Sequence, residues 1–234
     1  MFENHDIIML PNLKMWFVPQ FYTPSVSDAF FNELSSKLAW KQGEITLFGK
    51  KIAEPRLSAW YADEGKIYTY SGKVQTPLKW YPTLHLIKKD IEKYVHKNVN
   101  VDLHKTINVD LHKNVNVDLH KTINKDVEND AFLFSDFNSV LCNLYRNGQD
   151  SMGFHADNER ELGQNPLIAS LNLGETRRFL FRRKDDKTVK YELLLTSGSL
   201  LIMGGETQHY WHHAVPKEPK RSKPRINLTF RHIY

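Results

Sequence analysis

The sequence predicts an α+β protein with a mainly β core of sandwich or barrel type, built as a single domain over residues 1–234. Three observations predict it. Two stretches in the N-terminal part carry apolar residues at helical spacing. From Phe132 onward the pattern changes to short apolar runs broken by Gly, Asn and Pro. Between the two parts lies a tandem repeat that belongs to neither pattern.

Residues 25–40 read as the first helix, since Phe30, Phe31, Leu34 and Leu38 would share one face. A second helix begins near Pro82, whose fixed φ suits a first turn, and would bury Leu84, Ile87, Ile91 and Tyr94. Residues 96–127 repeat with period eight: HKNVNVDL, HKTINVDL, HKNVNVDL, HKTINKDV. His96, His104, His112 and His120 recur once per unit, but at spacings that match no ligand set. The near-identity of the units points instead to a tolerated surface insertion made by duplication. The later runs, LFSDFNSVLCNLY, LIASLNL, RRFLFRR, YELLLT, GSLLIM and RINLTFR, are each of strand length, and many such runs argue for a sandwich or barrel.

Hydrophobic residues make up 41% of the chain and charged ones 25%, values of an ordinary globular domain. No run approaches the roughly 18 to 20 apolar residues of a membrane span, and the start, MFENHDIIMLPN, does not read as a signal peptide. The single cysteine, Cys142, excludes an internal disulfide and sits in an apolar run, as a buried structural thiol would. A reducing, cytoplasmic setting follows, or the nucleus in a eukaryote. The net charge of +5 and the pI of about 9.1 are compatible with a nucleic-acid partner without requiring one. Basic residues cluster at Arg177-Arg178, at Arg182-Arg183-Lys184 and between Lys217 and Arg225, where phosphates could pass.

The residues that carry chemistry lie in the last third. His155 and Asp157 are two apart, so on a strand they project to one face and could hold one ion. With His213 the set is two imidazoles and one carboxylate. Such a set leaves three positions of an octahedral Fe(II) open for a cosubstrate and O₂. Arg225 and Arg231 follow. A guanidinium meets a carboxylate with two parallel hydrogen bonds, which suits the distal end of a keto-diacid such as 2-oxoglutarate. In T-Q-H-Y-W-H-H-A-V, strand alternation would put His209, Trp211 and His213 on one face and His212 on the other. The ordered set reads as an oxygenase dependent on Fe(II) and 2-oxoglutarate.

From about Pro55 to Tyr234, interrupted by one insertion, the chain closely resembles the AlkB family, in the branch of bacterial and animal DNA and RNA dealkylases. The resemblance rests on N-S-V-L-C-N-L-Y-R-N (Asn138 to Asn147), F-H-A-D-N-E, P-L-I-A-S-L-N-L-G, G-S-L-L-I-M, H-H-A-V-P and P-R-I-N-L-T-F-R (Pro224 to Arg231). The last of these, with an upstream H-x-D and N-x-Y, is specific to that family. It implies a double-stranded β-helix, or jelly-roll, over residues 132–234, with N-terminal helices outside it and a nucleotide-recognition lid at about 41–82.

The resemblance also assigns roles. His155, Asp157 and His213 match the iron ligands, which selects His213 among its neighbours. Asn143, Tyr145, Arg225, Asn227 and Arg231 match residues that hold 2-oxoglutarate, with Arg225 on the carboxylate remote from the metal. Tyr70 matches a base-stacking aromatic, Tyr68 and Ser71 flank it, and Phe48 falls where duplex-acting members fill the gap left by a flipped base. Glu159 matches an acidic residue near the exocyclic group of the base, while Asn158 stands where the closest animal members usually carry aspartate. The implied reaction is oxidative removal of N-alkyl groups, of the N1-methyladenine and N3-methylcytosine type, from DNA or RNA. It would consume O₂ and 2-oxoglutarate and release succinate, CO₂ and an aldehyde. No membrane and no protein partner is implied.

Two rival readings use the same residues differently. One is an oxygenase of the same chemistry acting on a protein, lipid or small molecule; Tyr68, Tyr70 and the basic clusters speak against it. The other is a catalytically silent nucleic-acid-binding module, which would have no use for a complete ligand and arginine set.

Overall fold

The computed structural model describes residues 6–47, 50–70, 73–99 and 136–234, with backbone only for 45–47, 50, 68–70 and 73–75. The chain divides into two compact units: Met1–His85 with Phe137–Tyr234, and Leu86–Asp136.

The first unit is built on two antiparallel sheets. The larger has eight strands in the order β1 (Asp6–Leu10), β2 (Leu13–Val18), β12 (Leu200–Gly204), β9 (Ile168–Gly174), β14 (Arg225–Arg231), β7 (Ser139–Tyr145), β4 (Lys50–Ala62) and β3 (Lys41–Leu47). The smaller has four, in the order β11 (Lys190–Leu195), β10 (Arg177–Arg183), β13 (Trp211–Val215) and β8 (Met152–His155). A separate hairpin pairs β5 (Tyr68–Tyr70) with β6 (Lys73–Gln75).

The sheets meet through alternate residues of their strands. Met15 and Phe17 of β2, Ile168 of β9 and Leu201 and Met203 of β12 join Phe179 and Phe181 of β10, Leu193 and Leu195 of β11 and Trp211 of β13 in one buried cluster. Each such side chain contributes roughly 1.5–3 kcal/mol by leaving water. This arrangement is the jelly-roll fold that the sequence implied. The N-terminal β2 extends it, inserted between β1 and β12, although nothing in the run LKMWFV announced that neighbour.

Helix α1 spans Pro24–Lys37, with proline in its first turn, and Leu38 is already extended. Leu34 and Leu38 are buried as their spacing requires. Its Phe31 ring lies against Gly174, at φ +85, where an added Cβ would come within 2.8 Å of the ring. Helix α2 spans Pro82–Tyr94 and buries Leu84, Ile87, Ile91 and Tyr94, the four residues its period selects. The first residues of the period-eight repeat continue it as a π-helical turn, Val95–Val99. The rest of the repeat, His104, His112 and His120 included, lies outside the described residues. No helix among the described residues is long and apolar enough to cross a membrane.

Candidate functional site

The site grows out of one strand. All seven residues of β14, RINLTFR, are buried, and alternation divides them. Ile226, Leu228 and Phe230 take one face, where Phe230 meets Phe137. Arg225, Asn227, Thr229 and Arg231 take the other, between the sheets. On one side Arg225 stands opposite Tyr145 and Asn227 opposite Asn143 of β7; on the other, Asn227 stands opposite Asn172 and Thr229 opposite Ser170 of β9. The polar alternates of three adjacent strands therefore converge. Asn143, Tyr145, Ser170, Asn227, Thr229 and Arg231 of these strands line a cavity with His155, Asp157 and His213, and Met152, Phe179 and Met203 form part of its apolar wall.

At one end of the cavity three ligand-bearing side chains come together. His155 closes β8 and stands opposite His213 of β13, with ring centroids 4.2 Å apart. Asp157 follows in the next loop. One donor atom from each of the three lies within 4.8 Å of the others. His155 Nδ1 sits 2.9 Å from the Gly153 carbonyl oxygen, an acceptor, so the proton belongs on Nδ1 and the Nε2 lone pair is left for a metal. Nε2 is 3.8 Å from Asp157 Oδ1.

Burial pushes the His155 pKa down. Burial, and then His155, pushes His213 down to about 3. Both imidazoles are neutral in the physiological range, the form that binds a cation. Burial alone would raise the Asp157 carboxyl, but Arg231, His213 and His155 outweigh it and hold it well below the usual carboxylate range. Arg231 Nη2 donates to Asp157 Oδ2 at 2.7 Å, both side chains being almost fully buried. Gln208 Oε1 accepts the Asp157 backbone N–H at 2.9 Å. Phe179 stacks on His213, 5.3 Å between centroids and 27° between planes. Neutral imidazoles and an ionised carboxylate in contact are a donor set that fits Fe(II).

The other end of β14 differs. Arg225 is 1% exposed. Its Nη2 donates to Asn172 Oδ1, and its Cζ lies 5.0 Å from the Tyr145 ring centre. Its Nε and Nη1 have no hydrogen-bond partner among the described residues. Burial lowers its pKa to about 10, which still leaves it cationic. A buried guanidinium with two unmet donors fits a carboxylate guest. Asn143 and Asn227 lie between the two ends. Asn143 Oδ1 accepts from Arg56 Nε at 3.0 Å, and Asn227 Nδ2 donates to Ser170 Oγ at 2.8 Å.

Glu159 is half-buried at the head of a short helical turn, Arg160–Leu162, and does not line the cavity. Tyr68 and Tyr70 are on the β5–β6 hairpin. Phe48 and Ser71 lie outside the described residues. His212 points away from His213, half-buried, and burial followed by Lys184 and Arg182 lowers its pKa. His209 departs from the expected strand face. Thr207–Tyr210 is a helical turn, so alternation begins only at Trp211, and His209 is exposed.

The basic clusters also divide. Arg177 is buried, donating to Glu218 Oε2 at 3.0 Å and to the Asp150 and Pro216 carbonyls, so it cannot meet a phosphate. Arg178 is paired with Glu192 and Arg183 with Asp185. Arg182 lies over the Phe154 ring at 3.8 Å, and Lys217, Lys220 and Lys223 are exposed.

Sequence reasoning missed Asn172, Phe179, Arg56 and Gln208. Asn172 had a signal, since it alternates with Ser170 in LIASLNL as the polar residues of β14 do. Arg56 and Gln208 had none, because their partners are far away in sequence.

The description "2OG-Fe(II) oxygenase superfamily" matches residues 14–231. The Bos taurus protein named alpha-ketoglutarate-dependent dioxygenase alkB homolog 3 is 35% identical over 98% of this chain and 70% of its own length. Its Homo sapiens counterpart is 35% identical over 92% of this chain, which spans 65% of that protein. The Mus musculus protein named DNA oxidative demethylase ALKBH2 is 32% identical over 88% of this chain and 75% of its own length. Among solved structures, that of OsALKBH1 superposes with a TM-score of 0.60 and 15% identity, covering 98% of this chain and all (100%) of that one, a likeness of fold.

Proposed function

The chain belongs to the 2OG-Fe(II) oxygenase superfamily and, within it, to the AlkB family; from that premise we propose that it is an oxidative dealkylase of N-alkylated bases in DNA or RNA. The observation that carries the reading is the polar side of one strand, β14: at one end its Arg231 grips Asp157 of the His155–Asp157–His213 donor set, and at the other it carries Arg225, a buried arginine with unmet donors. His155, Asp157 and His213 would hold the iron. Arg225 takes the distal carboxylate of 2-oxoglutarate in its fork, and Asn143, Tyr145, Asn227 and Arg231 surround the rest of the molecule. Bound Fe(II) supplies the activation of O₂, which places one oxygen atom in succinate, with loss of CO₂, and the other on an N-alkyl carbon. The hydroxylated carbon then leaves as an aldehyde when its C–N bond breaks.

The lid and Glu159 receive the base. Tyr70 stacks on it, Tyr68 and Ser71 flank it, Glu159 faces its exocyclic group, and Phe48 fills the gap left in a duplex. Methylation at N1 of adenine or N3 of cytosine makes the base cationic, so an acidic residue and an electron-rich ring favour damaged over normal bases.

The test is incubation with Fe(II), 2-oxoglutarate, ascorbate, air and an oligonucleotide carrying one N3-methylcytosine, single- or double-stranded, with mass spectrometry to follow loss of one methylene. Conversion is expected. Succinate release that no alkylated oligonucleotide stimulates would move the substrate to a protein, lipid or small molecule.

A further inference from the structure

We infer that Gln208 is a positioning residue for the metal centre, fixing the Asp157 carboxylate relative to His213; this rests on the metal reading above. Two of the three donors, His155 and His213, are held by strand pairing of β8 with β13. Asp157 is not: it lies in the loop after β8, and a loop has no ladder to set its register. Two contacts replace the ladder. Arg231 grips one carboxylate oxygen, and Gln208 Oε1 accepts the backbone N–H of Asp157 at 2.9 Å. Without Gln208 that N–H would be a buried donor with nothing to meet.

Gln208 can do this because it is itself fixed. It is 1% exposed, in the helical turn that leads directly into β13 and hence into His213. Its own carbonyl oxygen accepts from Lys184 Nζ at 2.8 Å, and its Nε2 lies 3.7 Å from Met203 Sδ. The side chain therefore ties the segment carrying one ligand to the segment carrying another. Arg231 acts differently, since it sets the charge of the carboxylate, whereas Gln208 sets the path of its backbone. Groups that orient a ligand without touching the metal typically change metal affinity by about 10–100-fold.

The experiment is Co(II) titration of the full chain under argon, read by the visible d–d spectrum and by the dissociation constant, beside melting of the metal-free protein. Gln208→Met, of similar length with only a weak acceptor, should weaken Co(II) binding by about tenfold or more and alter the spectrum. Gln208→Asn, which withdraws the amide by one methylene, should do the same and serves if the methionine variant does not fold. Gln208→Glu, which keeps an acceptor at the same reach, should retain more of the parent's Co(II) affinity than either of the other two variants. Lower melting with parental affinity and spectrum in the Met and Asn variants would reduce Gln208 to a packing residue and overturn the inference. A parent protein that binds Co(II) no better than His213→Ala would instead bring down the metal reading itself, and this inference with it.

Discussion

Arg225 and Arg231 stand six positions apart on one strand, on one face and equally buried, yet they do opposite work. Arg231 has a carboxylate in hand: Asp157 accepts from it, and each neutralises the other. Arg225 donates to the amide oxygen of Asn172 and lies over the ring of Tyr145, and two of its nitrogens have no hydrogen-bond partner among the described residues. Arg177, a third buried arginine, is saturated by Glu218 and three backbone carbonyls. Burial alone therefore does not mark an arginine as functional. Arg177, whose nitrogens are matched, serves as scaffold, whereas the unmet donors of Arg225 suit an anion that arrives later.

That contrast can be attacked from its strongest point downward. His213→Ala removes one of three donors and should abolish turnover, with metal content measured alongside; a variant that keeps both iron and activity would sink the ligand assignment. Arg231→Met leaves the Asp157 carboxylate buried and uncompensated, and should cost about 3 kcal/mol in denaturant unfolding of the metal-free protein. Arg225→Met should leave the metal-free protein unchanged or slightly more stable, because it deletes a buried charge that no acid balances. If both methionine variants lose stability equally, the distinction between the two arginines is void. Arg225→Lys keeps the charge but loses the fork, and should raise the KM for 2-oxoglutarate by about tenfold, equivalent to roughly 1.4 kcal/mol. The smallest effect belongs to the lid: Phe48→Ala should slow repair of duplex severalfold relative to single strands, and equal losses would remove the wedge.

Legibility in the sequence followed the range of the interactions. His155, Asp157 and His213 were readable because the chemistry of Fe(II) constrains residue type and the family motif fixes position, although the strand period invoked for the first two does not reach Asp157, which lies in the loop after β8. The run RINLTFR was readable as a strand, which β14 is. The period was applied too far at His209, where the chain turns helically before the strand begins, and no residue in T-Q-H-Y announces the change. The basic runs misled at Arg177, Arg178 and Arg183, since an acid that neutralises a cation can lie far away in sequence, as Glu218 does for Arg177. Gln208 was invisible on the same account: its partner is a backbone N–H that any residue at position 157 would own.

The three central strands impose a further condition on how this enzyme can vary. Asn143, Asn227 and Asn172 face the site side by side because β7, β14 and β9 are held in one register. Deleting a single residue between Arg225 and Arg231 would present Ile226, Leu228 or Phe230 to the pocket over the rest of the strand, and drive a guanidinium into the packing on the far side. Point substitutions on this face grade the activity, but a change of length has no mild version. Within β7, β9 and β14, lineages of this protein can explore residue type and are barred from exploring residue number.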